Sequence, residues 1–139
     1  MLDMIRGMAD YEFGPGKGEL LVPTTAVVKG RYPRYLLFDG NKQLCSLSPE
    51  YGSLSLTLDG ARIMGLDPDY TVEIGDFVPK GSILAPGVIG ANIQIRPGDD
   101  VLVKGPNAIG IGKAKMSGFE MVESTRGMAV ELRHVERLP

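Results

Sequence analysis

Apolar residues stand at helical spacing at the start of the chain. Leu2, Ile5, Met8 and Ala9 fall on one face, with Asp3, Arg6 and Asp10 elsewhere, which predicts a short amphipathic helix over residues 1–11. The pattern then shortens to β-type runs. Leu20-Leu21-Val22, Ala26-Val27-Val28, Tyr35-Leu36-Leu37-Phe38, Leu44-Cys45-Ser46-Leu47 and Leu54-x-Leu56-x-Leu58 predict a meander. Asp39-Gly40-Asn41 and Ser48-Pro49-Glu50-Tyr51-Gly52 supply its reversals, and Asp59 is expected to cap a short helix through Ala61, Ile63 and Met64.

The second half of the chain repeats the logic with sharper punctuation. Pro97-Gly98 is a turn pair, since proline presets φ for one central position and glycine accepts positive φ at the next. Val101, Leu102 and Val103 form a strand, and Gly105-Pro106-Asn107 turns the chain back. Ile109, Ile111, Lys113 and Lys115 then alternate with Gly110, Gly112, Ala114 and Met116, so one face of this strand is small and open to close approach. Ser117 with Glu120 is a capping box, opening a short helix that Gly127 is expected to end. Met128, Val130 and Leu132 alternate along a last strand. Gly65-Leu66-Asp67-Pro68 is the expected junction between two parts, residues 1–65 and 66–139, too short for a free linker, so the parts are expected to pack together.

Composition narrows the class. At 139 residues roughly 65–70% of the unfolded surface can be buried, enough for a core without disulfides. Nineteen glycines and ten prolines favour short strands over long helices. One cysteine cannot form an internal bridge, and Asp3, Arg6 and Asp10 interrupt the N-terminal apolar residues. A reducing, cytoplasmic setting without membrane insertion is expected. The net charge of −2 argues against indiscriminate polyanion binding. Residues 1–65 hold seven basic and seven acidic side chains, the remainder eight and ten, so any RNA contact must use a local basic patch and shape.

Two resemblances rest on these residues. Gly98-Asp99-x-Val101, the strand from Ile109 to Met116, Glu120-Met121 and Arg126-Gly127-x-Ala129-Val130 resemble the C-terminal half of a PUA domain, a small RNA-binding pseudo-barrel. Lys80-Gly81-x-x-Leu84-Ala85-Pro86-Gly87-Val88 fits that family's short helix, glycine and following loop. Upstream, Ala9-Asp10-Tyr11-x-Phe13-Gly14-x-Gly16-x-Gly18 and Leu56-Thr57-Leu58-x-Gly60-Ala61-Arg62 resemble the domain preceding the PUA domain in archaeal tRNA-guanine transglycosylases. Those enzymes insert the archaeosine precursor base into the D arm of tRNA. Their large catalytic barrel, nucleophile and zinc-binding residues have no counterpart here. The implied fold is α+β and mainly β: a small N-terminal α/β-meander domain, then a PUA pseudo-barrel.

The chemistry that is absent agrees with a non-enzyme. His134, the single histidine, lies in phase with Met128, Val130 and Leu132, which suits a half-buried structural residue better than a catalytic one. Cys45 reads as a small core residue, and one Cys with one distant His makes no zinc site. Asp99-Asp100 point to opposite faces if the strand has begun, so they read as turn and strand-start residues. The loop Phe13-Gly14-Pro15-Gly16-Lys17-Gly18 lacks the Ser or Thr after its lysine that a phosphate-cradling P-loop needs.

No catalytic residue, metal or cofactor is therefore expected. By resemblance, Phe77, Lys80, Gly81, Ser82, Ala85, Pro86, Gly87 and Val88 line an RNA groove, with backbone close approach at the glycines and a stacking face or a core anchor at Phe77. Pro79 departs from the family, because proline breaks the longer helix usual there. Lys113, Lys115, Arg126 and Arg133 are candidate phosphate contacts, or a solvated strand face. Tyr11, Phe13 and Lys17 are candidates for the tRNA body, though packing suits the two rings. The expected partners are RNA, above all the tRNA acceptor end, and a separate catalytic transglycosylase subunit. The rival reading is a protein-interaction module on the same fold.

Overall fold

Helix α1 (Leu2–Phe13) buries Ile5, Ala9 and Phe13, a stripe at i, i+4 and i+8. The computed structural model describes residues 1–49 and 52–139, which fall into two compact units, Met1–Gly65 and Leu66–Pro139. In the first unit, Leu20-Leu21-Val22 does not form the expected strand. Residues Lys17–Leu21 are a helix, α2. The reason is long-range: the Gly18 amide donates to Asp10 Oδ1 at 2.7 Å, satisfying a first-turn donor. Gly18 also lies so near Arg6 that a Cβ there would stand 2.2 Å from its carbonyl oxygen. An apolar triplet alone cannot separate strand from helix.

Four strands follow: β1 (Val27–Arg31), β2 (Arg34–Asp39), β3 (Lys42–Ser48) and β4 (Ser53–Leu56), in an antiparallel meander of that order. Asp39 pairs with Lys42 across the expected Gly40-Asn41 turn. The reversal expected around Pro49 includes Glu50 and Tyr51, which lie outside the described residues. Leu37, Cys45, Leu47, Leu54 and Leu56 form the buried face of this sheet, and α3 (Leu58–Met64) packs on β3. The cap of α3 is Thr57 rather than Asp59. Thr57 is still extended, so its Oγ1 accepts from the Gly60 amide at 3.1 Å while donating to the Gln43 carbonyl at 2.6 Å. Asp59 sits in the first turn, where its charge meets the positive helix end.

The second unit is built on β5 (Thr71–Ile74), β6 (Ser82–Leu84), β7 (Val88–Ala91), β8 (Asp100–Lys104), β9 (Ala108–Ala114) and β10 (Met128–Arg137). They form one curled sheet of order β6-β10-β9-β8-β5-β7, with β5 and β8 parallel and the other pairs antiparallel. This is the pseudo-barrel, and the chain is α+β and mainly β. Val72, Ile74, Ile83, Ile95, Val101, Val103, Ile111 and Val130 are buried in its core. The small face of β9 serves close strand approach: a Cβ on Gly112 would stand 2.2 Å from the Glu131 carbonyl oxygen on β10.

The capping box forms as expected, with Ser117 and Glu120 exchanging bonds at 3.1 Å at the start of α4 (Gly118–Glu123). That helix ends at Ser124, not at Gly127, which leads into β10 with φ +100. His134 is not half-buried. A bulge after Leu132 shifts the register of β10 against β9, so the alternation that placed His134 in phase breaks. The imidazole is exposed, with Nε2 3.2 Å from Glu136 Oε2. Among the described residues no helix is long and apolar enough to cross a membrane.

Candidate nucleic-acid interface

The segment from Lys80 to Val88 runs from β6, at one edge of the curled sheet, to the start of β7, at its other edge, and forms a border of the pseudo-barrel. Lys80 and Ser82 bridge around Gly81, whose φ of +70 favours glycine. Its carbonyl accepts from the Leu132 amide at 2.9 Å, so the turn is fastened to β10. No helix precedes Gly81: residues 75–81 are irregular, and Pro79 is buried among them. The expected helix is absent because proline lacks the amide and clashes with the preceding turn. Gly81 is therefore a turn glycine and not a helix cap. After β6, Ala85, Pro86 and Gly87 make a single 3-10 turn, with Ala85 buried and Pro86 exposed, and Val88 opens β7.

Phe77 and Gly87 belong together. A Cβ on Gly87 would stand 3.0 Å from Phe77 Cζ and one on Gly75 3.8 Å from the same ring, so the ring lies on bare backbone. Yet Phe77 keeps 38% of its surface exposed, so it is at once an anchor and an available aromatic surface.

The four candidate cations divide. Arg133, the extra residue of the β10 bulge, reaches across β9 to Asp100 on β8. Its Nη1 lies 2.9 Å from Oδ1 and its Nη2 2.8 Å from Oδ2, while Lys113 Nζ lies 2.7 Å from Oδ1. Asp100 is wholly buried, so these two cations neutralise it. Lys115 stands 3.7 Å from Glu131 on the neighbouring strand. Arg126 is exposed in the loop before β10, and that loop is tied to the 3-10 turn because the Ala85 amide donates to the Gly127 carbonyl at 2.9 Å. Lys80, Arg126, Phe77 and the 3-10 turn thus flank β6, whereas Lys113 and Arg133 lie together on Asp100. The role of Asp100 escaped sequence reasoning. Its one local signal is that Asp100 and Lys113 are register partners, which needs the β8–β9 pairing to be known.

In the first unit, Lys17 Nζ donates to the Met64 carbonyl at 2.8 Å and so caps the end of α3. Phe13 is buried, while Tyr11 is 87% exposed instead of packed with it. Asp99 accepts from the Arg96 amide at 2.9 Å within the Pro97-Gly98 turn, the structural role expected of it. Elsewhere in the second unit, the Lys104 ammonium 2.8 Å from Asp67 holds that carboxyl below its usual 3.8, and Asp67 lifts Lys104 above 10.5. Among the described residues no group of three His, Cys, Asp or Glu side chains stands close enough to hold a metal ion.

Known proteins resemble this chain over both units. Residues 71–135 match the PUA domain family, and residues 3–66 match the patch-forming domain C2 of tRNA-guanine transglycosylase. Archaeosine synthase subunit alpha of Methanosarcina acetivorans is 50% identical over 138 residues, covering 98% of this chain and 22% of its own length. Archaeosine synthase of Haloferax volcanii is 49% identical over 138 residues, covering 96% of this chain and 24% of its own. The chain thus spans about a quarter of the length of these relatives. A crystal structure of a protein of unknown function superposes with a TM-score of 0.79 at 36% identity, over 95% of this chain and 46% of the other. The chain is a PUA-domain protein, homologous through both units to the C-terminal pre-PUA and PUA region of archaeal archaeosine tRNA-guanine transglycosylase.

Proposed function

We propose that this chain is a non-catalytic RNA-binding part of an archaeosine-forming system, which holds tRNA while a catalytic chain modifies it. It acts either as a stand-alone protein or as a split C-terminal part of such an enzyme. The observation that supports this most is the tandem match, domain C2 then PUA, over nearly all of the chain. Catalysis then belongs to the three quarters of the relatives that lie outside the matched region. Within the PUA unit, the border formed by Lys80, Gly81, Ser82, the Ala85-Pro86-Gly87 turn, Val88 and Phe77 suits an unpaired strand. A half-exposed ring can stack on a base, and the glycine backbone beside it lets a phosphate or a base edge approach closely. Arg126 is tied beside this border and adds charge.

The test compares a tRNA transcript with the same transcript lacking its single-stranded acceptor end, titrated at two salt concentrations. The intact end should bind more tightly, and the purified chain alone should exchange no base. Base exchange by the chain alone would remove the non-catalytic reading.

A second reading, a protein-interaction module on this fold, is favoured by one observation. Two of the four strand and loop cations are committed to Asp100, in a unit with eight basic and ten acidic residues. Equal affinity for the two transcripts, unchanged by Gly87→Arg, would favour it.

A further inference from the structure

In the second unit, the edge strand β7 and the helix beside it carry an exposed apolar border. Ile89 lies on β7, and Ile93, 82% exposed, follows its end. Helix α4 packs along β7 and begins against that end: a Cβ on Gly118 would collide with the Asn92 carbonyl and stand 3.5 Å from Ile93 Cα. Gly118 and Met121 turn inward, which leaves Phe119, 65% exposed, and Val122 on the outer side of the helix at i and i+3. Single apolar residues on a surface are ordinary, but four gathered on one edge point to a covering partner. The run from Gly81 to Ile95 has no charged residue, so this edge lacks the lysines that shield such strands from association.

The charge around this border is acidic. Glu120 and Glu123 stand exposed on α4, and Glu73 of β5, also exposed, pairs in register with Gly90 of β7. A cleft of about 250 Å³ opens over Gly90, lined by Asp67, Thr71, Glu73 and Asn92 around the β7 backbone. Of the neighbouring cations, Lys104 is held by Asp67 and Arg96 by Asp99. Arg126, in the loop after α4, belongs to the border at β6 already described.

We propose that this α4–β7 face docks a protein whose own surface has an apolar centre and a rim of lysine and arginine. The inference rests on the reading above, in which a catalytic chain works beside this one, and it names the surface by which the two join. A second copy is opposed here, because it would set Glu73, Glu120 and Glu123 against their own like. An RNA backbone meets the same repulsion. A basic-rimmed protein gains on both counts. Its apolar centre covers Ile89, Ile93, Phe119 and Val122, and its cations meet the carboxylates of α4 and of the cleft over Gly90.

The test uses the full chain and two purified probes, the archaeosine synthase and the tRNA-guanine transglycosylase encoded in the same genome. Kd for each probe is measured over a series of KCl concentrations, with Kd for a tRNA transcript measured in parallel. One probe should bind, and the double variant Ile93→Ser/Phe119→Ser should weaken its Kd by about tenfold or more. The thermal midpoint should hold, because both side chains are exposed. Glu123→Lys should slow association and flatten its salt dependence, and it serves if the double variant fails to fold. Affinity for tRNA and preference for its intact acceptor end should be the same in all three chains. Binding of neither probe, or equal binding by the variants, would overturn this inference, and retained tRNA affinity would then leave the RNA reading standing. Probe binding by a chain with no tRNA affinity would keep this inference and remove the RNA reading. Loss of tRNA affinity in the variants, or a dimer of the chain that they dissociate, would assign the face to RNA or to a second copy and overturn the proposal.

Discussion

Arg133 holds the buried carboxylate of Asp100 with both terminal nitrogens, at 2.9 and 2.8 Å, from a strand that is not adjacent to it. The bulge in β10 makes this possible, because Arg133 is the residue left without a register partner. Removing the guanidinium takes a bidentate partner from a buried charge that Lys113 Nζ also meets, at 2.7 Å. Arg133→Ala should therefore destabilise the chain by about 3 kcal/mol, the lower end of what breaking a buried pair costs. Asp100→Asn should cost less, since it removes the buried charge itself. Denaturant midpoints at neutral pH check both, and equal losses would contradict the argument.

The cap of α3 gives a second expectation. Thr57→Ala removes the acceptor for the Gly60 amide and the donor to the Gln43 carbonyl, and should cost about 1–2 kcal/mol. Thr57→Ser should restore most of it, because the hydroxyl returns. Asp59→Ala should change the midpoint much less. Thermal unfolding of the three variants distinguishes Thr57 from Asp59 as the cap.

Local signals carry part of this fold and long-range ones the rest. The strands from Val27 to Leu56 and from Val101 to Val130 were legible, because period-two alternation and turn pairs such as Gly40-Asn41 and Pro97-Gly98 are local. Helix α2 was not, because its decision lies in Asp10 and Arg6, on the preceding helix. The position of His134 depended on a bulge, and a one-residue shift reverses every later side chain. Of the candidate site, Gly81, Gly87 and Phe77 were legible through resemblance. That Gly87 is the floor under the Phe77 ring was not, since the contact joins the turn before β7 to an irregular segment.

The Asp67–Lys104 pair yields a pH dependence with a definite sign. Asp67 titrates below its usual 3.8 in the folded chain, so its contribution is present above that value and fades as pH falls through the folded one. Lys104 titrates above 10.5 when folded, so its share is present below 10.5 and is lost as pH rises further. Lys104→Met should lower stability slightly at neutral pH, and the two stability curves should converge in acid. Both groups are largely solvated, so the difference should shrink in high salt. Curves that stay parallel down to about pH 2 would exclude the pair as its source.

Phe77 and Gly87 make a coupled prediction. Because Phe77 is 38% exposed, Phe77→Ala should cost about 1–2 kcal/mol, less than the 3–5 typical of a fully buried ring. Gly87→Ala pushes its methyl to 3.0 Å from Cζ, so the ring must shift by a few tenths of an ångström. In the Phe77→Ala background that conflict is gone, so the two effects should not add. A double-variant cycle in denaturant checks this.

The division among the cations leads to the last expectation. Lys80 and Arg126 are exposed, and among the described residues neither has a carboxylate at ion-pair distance. Lys113 and Arg133 already hold Asp100, so a phosphate reaching them must compete with a buried carboxylate at 2.7–2.9 Å. If RNA lies along β6, Lys80→Ala and Arg126→Ala should each lower the salt slope of tRNA binding by about 0.7–0.9. Their stability should be unchanged. Arg133→Ala should do the opposite: a clear loss of stability, with little change in slope once measured where the variant is fully folded. Kd series in KCl, paired with unfolding curves for each variant, separate the two classes. A slope change confined to Arg133 and Lys113 would move the RNA-binding surface from the border at Lys80 and Arg126 to the open face of β9 and β10.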